Sequence, residues 1–210
     1  MADRFSGEDD FFRSSEIPVK AKIENFAAEP SVLTHAREVA TELGAVAISA
    51  GVGNLLRTLV RAVSAAHVID VGTGVGVSAG WLSLGLTDAG TITSIDLESE
   101  YQQTAKELLQ DLELAPPRLR LLSGRANQVL PKLTDAGYDF MFVDINQFDA
   151  PALLADAARL LTVGGLLVVN GALAGSDSAA PELVSLISES DEFAAALVPL
   201  GQGLVVATKL

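Results

Sequence analysis

A doubly wound α/β fold, on a seven-stranded sheet that is mostly parallel with a C-terminal antiparallel hairpin, follows from three observations in this 210-residue sequence. From residue 66 onward, short apolar runs alternate with amphipathic helical patterns, which stacks parallel strands between helices on both faces. Several of the runs are nearly continuously apolar, as central strands covered on both faces must be. The last segment, FAAALVPLGQGLVVATKL, reads as two strands around a Gly201–Gln202–Gly203 turn.

Taken in order, residues 1–28 mix Phe5, Phe11 and Phe12 with Asp, Glu and Ser without a clean period, and read as an N-terminal arm. Residues 29–210 read as one domain, with no linker or internal repeat. Pro30 and Ser31 open a helix whose apolar positions are Val32, Ala36, Val39 and Leu43, and Gly44 stops it. AVAISAGVGNLL leads into a second helix, with Leu56, Leu59, Val60 and Val63 on one face. The alternating strands are AHVIDV, TITSID, LRLLS, YDFMFVD and GGLLVVN. Between them lie a helix through Trp81, Leu82 and Leu86, one carrying Tyr101, Ala105, Leu108 and Leu112, and one carrying Leu153, Leu154, Ala157 and Leu161. The whole is a Rossmann-like sheet.

Composition excludes several function classes. Hydrophobic residues make up 49% of the chain, enough for a full core. Asp and Glu number 27 against 14 Lys and Arg, a net charge of −13, and such a surface repels nucleic-acid phosphates and anionic lipid. Cysteine is absent, which removes disulfides, thiolate metal sites and a Cys nucleophile. MADRFSGEDDFF lacks an apolar signal core, and no apolar run is long enough to span a bilayer. The expectation is a cytoplasmic protein with no nucleic-acid or membrane partner.

The most informative stretch is VIDVGTGVGVSAGWL, residues 68 to 82. An apolar run ends in Asp70, the glycines Gly72, Gly74 and Gly76 follow, and a helix opens. Strand, glycine turn and helix let a ligand approach bare backbone. Twenty residues beyond Gly76, TITSID ends in Asp96, placed to accept hydrogen bonds from ribose hydroxyls. A nucleoside-containing ligand is expected. Gly74-x-Gly76-x-x-Ala79 formally fits the dinucleotide fingerprint, which leaves a nicotinamide-dependent oxidoreductase as a weaker reading. Asp70 argues against a pyrophosphate at the turn and suits a cationic amine or sulfonium, and roughly 65 mainly helical residues precede the first strand. S-adenosylmethionine is the better ligand.

These segments, in order, resemble the class I S-adenosylmethionine-dependent methyltransferases, and within them the cation-dependent O-methyltransferases of the catechol and caffeoyl-CoA kind. The matching stretches are AISAGVGNLL, VIDVGTGVGVSAGWL, ITSIDLE, LLSGRANQVLPKL, YDFMFVDINQ, LLTVGGLLVVNGAL and VPLGQGLVVATK, from about Ile48 to the C-terminus. The resemblance implies a small-molecule acceptor, a homodimer and a cofactor site at named positions. Ile48, Asp70, Gly72, Thr73, Gly74, Gly76 and Ser78 would surround the methionine end. Asp96, with Leu97, would hold the ribose, and Gly124, Arg125, Ala126 and Asn127 would line the adenine. Asp144 would stand near the methyl donor.

The resemblance also implies a hard divalent cation held by two carboxylates and an amide oxygen, with a Lys that helps remove the acceptor's proton. A phenol with a pKa of about 10 is mostly protonated at neutral pH, so such help matters. Here the family's Asp-Ala-Asp-Lys stands as Asp144-Ile145-Asn146-Gln147, and its Asp-Asn as Asn170-Gly171. One carboxylate and the Lys are gone. Weak metal binding or none is expected, with Asp144 and Asn170 left to line the reaction centre.

Asp149 and Asp177 are nearby replacement acids, although loop acids ordinarily serve as solvated surface. His35, on the first helix, is a candidate base, and His67, at the start of a strand away from the cofactor, is expected to be structural. Tyr138 and Trp81 are expected to pack. A metal-free methyltransferase remains chemically reasonable, because holding donor and acceptor in line supplies much of the rate. A protein that binds S-adenosylmethionine without transferring its methyl group is the alternative.

Overall fold

The computed structural model describes residues 18–175 and 178–210. Its strands are β1 (His67–Val71), β2 (Thr91–Asp96), β3 (Leu119–Ser123), β4 (Tyr138–Val143), β5 (Leu161–Asn170), β6 (Phe193–Val198) and β7 (Leu204–Lys209). They form one sheet in the order β3-β2-β1-β4-β5-β7-β6. β1 to β5 pair in parallel, while β7 runs antiparallel between β5 and β6. The expected doubly wound sheet with its terminal hairpin is present.

Strand alternation sorts the core into two layers. Val68, Phe140, Phe142, Leu166 and Val168 face one layer, with helices α2 (Ser31–Glu42), α3 (Ala50–Ala62), α4 (Val77–Ser83) and α5 (Ser99–Gln110) packed over it. Ile69, Met141, Val143, Leu167 and Val169 face the other, under α7 (Ala150–Leu160) and α8 (Ala180–Glu189). A one-turn helix, α6 (Ala126–Val129), follows β3.

Several helices sit differently from the sequence expectation. In α2 the buried residues are Leu33, Ala36 and Ala40, and Leu43 is half exposed just past the helix end. The expected stripe was rotated by about one position, because Val and Ala alternate around this helix and mark its inner face weakly. Leu86 and Leu112 lie beyond the ends of α4 and α5, and Leu161 starts β5 rather than closing α7. Leu161 pairs with Tyr138, and a register shift separates that pair from Phe140 and Leu166. Gly164, at φ +82°, gives the strand its local bend.

Besides the one-turn α6, two further helices were not read from sequence. α8 opens with Pro181 in its first turn and buries Leu183 and Ile187 one turn apart. α1 (Val19–Glu24) lies within the segment read as an arm, and Glu24 accepts the backbone N–H of Gly51 at 2.7 Å, joining it to the start of α3. Phe5, Phe11, Phe12 and Asp177 lie outside the described residues.

Candidate active site

Parallel strands collect their C-terminal ends on one edge, and the chain order reverses between β1 and β4, where ligands of open α/β sheets bind. Asp70 is the penultimate residue of β1, Asp96 ends β2, Asp144 follows β4 and Asn170 ends β5. Sheet parity directs Asp70, Asp144 and Asn170 to the α2–α5 side, since Phe142 and Val168, two residues before Asp144 and Asn170, face that layer.

Asp70 is fully buried beneath the glycine turn. Ser94 Oγ donates to its Oδ2 at 2.7 Å and Ser78 Oγ at 3.2 Å, while Thr73 Oγ1 pairs with Ser94 Oγ at 2.7 Å. Its Oδ1 is buried without a partner. Burial pushes its pKa up to about 7, the two serine hydrogen bonds pull it back, and Asp144 and Asp96 add a smaller upward push. An orphaned carboxylate oxygen in that setting fits a ligand ammonium, which would restore the charged form.

Gly72 carries φ +102°, and a Cβ on it would stand 2.4 Å from the carbonyl oxygen of Asp144. Only glycine lets the β1 turn pass this close to the end of β4. Gly74 donates its N–H to Asp96 Oδ2 at 2.8 Å, and Glu98 donates its own to Asp96 Oδ1 at 2.9 Å. Asp96 is thereby fixed at the junction of two cavities.

The first cavity, about 660 Å³, is lined by Leu97, Gly124, Arg125, Ala126 and Asn127 together with Ile145 and Phe148. The second, about 570 Å³, is lined by Ile48, Gly72, Gly74, Asp144 and Asn170. Thr73 and Ser78 line a narrow recess between Ile48 and the turn. Two of the expected positions line none of these spaces: Asp70 lies buried beneath the turn, and Gly76 faces Ala105 and Leu109 of α5, so its φ of +94° serves the turn into α4.

At the far end of the second cavity, Asn170 Nδ2 donates to Asp144 Oδ1 at 2.8 Å. Asn170 Oδ1 is buried without a partner. Burial raises the Asp144 pKa, and the Asn170 hydrogen bond opposes the rise. This donor set does not fit a hard divalent cation, because an amide N–H already faces the one carboxylate present. Asp149 caps α7 through Ala152 N at 2.9 Å. Among the described residues, no group of three or more His, Cys, Asp or Glu is arranged to hold a metal ion.

His35 is exposed, lies 3.6 Å from Glu38 and lines neither cavity, so the structure does not support it as a base. His67 pairs with Thr91 Oγ1 at 3.0 Å, at the opposite end of β1. Trp81 is fully buried, and a Cβ on Gly53 would collide with its ring.

Sequence reasoning missed Glu24, Tyr101, Gly201 and Gln202, all of which line the second cavity. Gly201 and Gln202 had been read as turn residues alone. The β6–β7 turn lies over Asn170, with the Cβ position of Gly201 3.8 Å from its Oδ1. No local signal marks Glu24, because its place depends on how α1 packs against α3.

A family model described as O-methyltransferase matches residues 23–209. The chain belongs to the O-methyltransferase family. It is 39% identical to a Mycobacteroides abscessus protein that carries the O-methyltransferase name by assignment, over 91% of this chain and 96% of that one. Among solved structures of similar fold, a Corynebacterium glutamicum protein is 31% identical over 89% of this chain and 93% of its own, with a TM-score of 0.81. The O-methyltransferase TomG of Streptomyces achromogenes, involved in tomaymycin synthesis and solved in complex with S-adenosylmethionine, is 25% identical. It covers 91% of this chain and 95% of its own, with a TM-score of 0.80. Family membership accounts for the sheet order and for the glycine turn together.

Proposed function

We propose that this chain transfers a methyl group from S-adenosylmethionine to a hydroxyl oxygen of a small molecule, in the cytoplasm, as a homodimer and without a tightly held divalent cation. The observation that carries the reading is a pair of cavities meeting at Asp96, one of which ends at the hydrogen-bonded Asp144 and Asn170. That shape suits a two-part ligand. Gly124, Arg125, Ala126 and Asn127 would take the adenine, Asp96 the ribose, and Ile48, Gly72, Thr73, Gly74 and Ser78 the methionine end, with Asp70 answering its ammonium. The cofactor supplies an electrophilic methyl group.

Asp144 is the residue that takes the acceptor's proton. With the cofactor bound, the acceptor's hydroxyl oxygen would be placed to take its methyl group, and the hydroxyl proton would pass to the Asp144 carboxylate. Burial raises Asp144 above the ordinary carboxylate range, which makes it a stronger base than a solvated Asp. Asn170 holds it by its amide and offers Oδ1 to the acceptor.

The net charge of −13 speaks against nucleic-acid and membrane partners, and none of the described helices is long and apolar enough to cross a bilayer. The homodimer rests on the family resemblance, and Val19, Ile23 and Phe26 form an exposed apolar strip that a second copy would cover. The non-catalytic alternative gains no support from relatives that carry the O-methyltransferase name.

Calorimetric titration of S-adenosylhomocysteine into the protein, with Mg²⁺ and then with EDTA, tests this reading. Micromolar binding that ignores the metal is expected. Absence of binding overturns the function, and marked tightening by Mg²⁺ overturns its metal-free form.

A further inference from the structure

We infer that the methyl acceptor is neutral or amine-bearing, and that carboxylated, phosphorylated and sulfated acceptors are excluded by charge; the inference rests on the proposed function and takes the part of the second cavity around Glu24, Asn146, Asn170 and Gln202, beyond the residues given to the methionine end, as the acceptor site. Beyond Asp96, the polar wall of that cavity is formed by Glu24, Ser49, Tyr101, Asn146, Asn170 and Gln202 around Asp144. The charged side chains among the described lining residues are Asp96, given above to the ribose, and Glu24 and Asp144, all carboxylates, and none of these lining residues is Lys, Arg or His. Arg37 reaches the backbone carbonyl of Ile48, but it is ion-paired with Glu29, which cancels its charge.

Hydrogen-bonding capacity at the reaction centre suits the acceptor's reacting hydroxyl. Asn170 directs its amide N–H into Asp144 and leaves Oδ1 buried without a partner. Glu24 presents one carboxylate oxygen to Gly51 N. The orphaned group at the reaction centre is therefore an acceptor, and it is satisfied by a hydroxyl, an ammonium or an N–H. An anionic group on the acceptor would enter a half-buried pocket of like charge, where repulsion is weakly screened. Because the Asp144 and Asn170 donor set does not fit a divalent cation, no metal charge offsets these carboxylates. Specificity of this kind is set by what the pocket repels as much as by what it holds.

The experiment uses the full chain saturated with S-adenosylhomocysteine. Three catechols that share a two-carbon side chain and differ in its end group are titrated by calorimetry: dopamine, hydroxytyrosol and dihydrocaffeate. Dopamine and hydroxytyrosol are expected to bind at least about tenfold more tightly than dihydrocaffeate, the size of effect that one uncompensated like charge gives near a protein surface. Raising the salt concentration narrows the gap. Glu24→Gln, which keeps an oxygen for Gly51 N, is expected to shrink the dopamine-to-dihydrocaffeate ratio severalfold, whereas a general loss of folding would weaken all three ligands alike. Equal or tighter binding of dihydrocaffeate overturns the inference. Failure of all three to bind at millimolar concentration overturns the assignment of this cavity to the acceptor. Failure of S-adenosylhomocysteine itself to bind is a separate result and overturns the proposed function.

Discussion

Asn170 and Asp144, 26 residues apart in sequence, meet at the ends of adjacent parallel strands with the amide Nδ2 2.8 Å from the carboxylate Oδ1. The contact places an N–H donor where a cation site would need an oxygen. Asn170→Asp replaces that donor with a second carboxylate. Without metal the variant is expected to melt below the parent, because two half-buried acids repel. With millimolar Mg²⁺ it is expected to regain a few degrees, while the parent melts at the same temperature with Mg²⁺ or EDTA. Equal Mg²⁺ responses in the two proteins would count against this account of the site.

Asp70 should couple cofactor binding to pH. Its folded pKa, about 7, lies above its ordinary value of 3.8, so the native protein retains a proton that the unfolded chain has released. Its contribution to stability is full below the ordinary value and is lost as pH rises to about 7. Asp70→Asn is therefore expected to raise the melting temperature of the ligand-free protein by a few degrees at alkaline pH and to leave it nearly unchanged under acid conditions. The same variant should bind S-adenosylhomocysteine at least about tenfold more weakly and lose the fall in affinity that the parent shows as pH drops through neutrality. Melts and titrations across that range check both halves.

Gly72→Ala should cost about 3 kcal/mol, since the new Cβ meets the Asp144 carbonyl oxygen while the backbone is held at positive φ. Gly74→Ala is the contrast. A Cβ there meets nothing within 4 Å at φ +49°, a left-handed conformation that costs about 1 kcal/mol. Chemical denaturation of both ligand-free variants compares the two, and equal losses would show that the approach to Asp144 is not the constraint.

Asp96→Asn keeps the shape of the junction but removes its charge and one oxygen acceptor. Gly74 N and Glu98 N now bond to separate oxygens of Asp96, so one of them loses its partner. Affinity for S-adenosylhomocysteine is expected to fall by roughly 10- to 100-fold, the range for a hydrogen bond to a charged group. Titration of the variant beside the parent gives the ratio.

The residues proposed for the cofactor could be picked out along the chain because they sit at ends of regular elements. Asp70 and Asp96 close strands, Gly72 and Gly74 make the turn between them, and Gly124 to Asn127 follow the third strand directly. Their contacts with one another, such as Asp70 with Ser94 and Asp96 with Gly74, follow from the parallel pairing of consecutive strands. Gly76 shares the spacing of the other glycines, and its inward neighbour is Leu109 of α5, which spacing does not reveal. The residues proposed for the acceptor were poorly legible. Glu24 reaches the cavity by way of α1 on α3, and Gln202 by the fold-back of β7 onto β5.

The sequence by itself determined the alternation of strands and helices, the terminal hairpin and the glycine turn flanked by two acids. Hydrophobic period and turn chemistry act over a few residues, so they can be read along the chain. Only the tertiary structure decided that Asn170 faces Asp144 with its N–H, that Gly201 stands over them, that α2 buries Leu33 and Ala40, and that His35 points to solvent. Those outcomes depend on sheet order and on small rotations of packed helices, which arise from contacts between segments far apart in the chain.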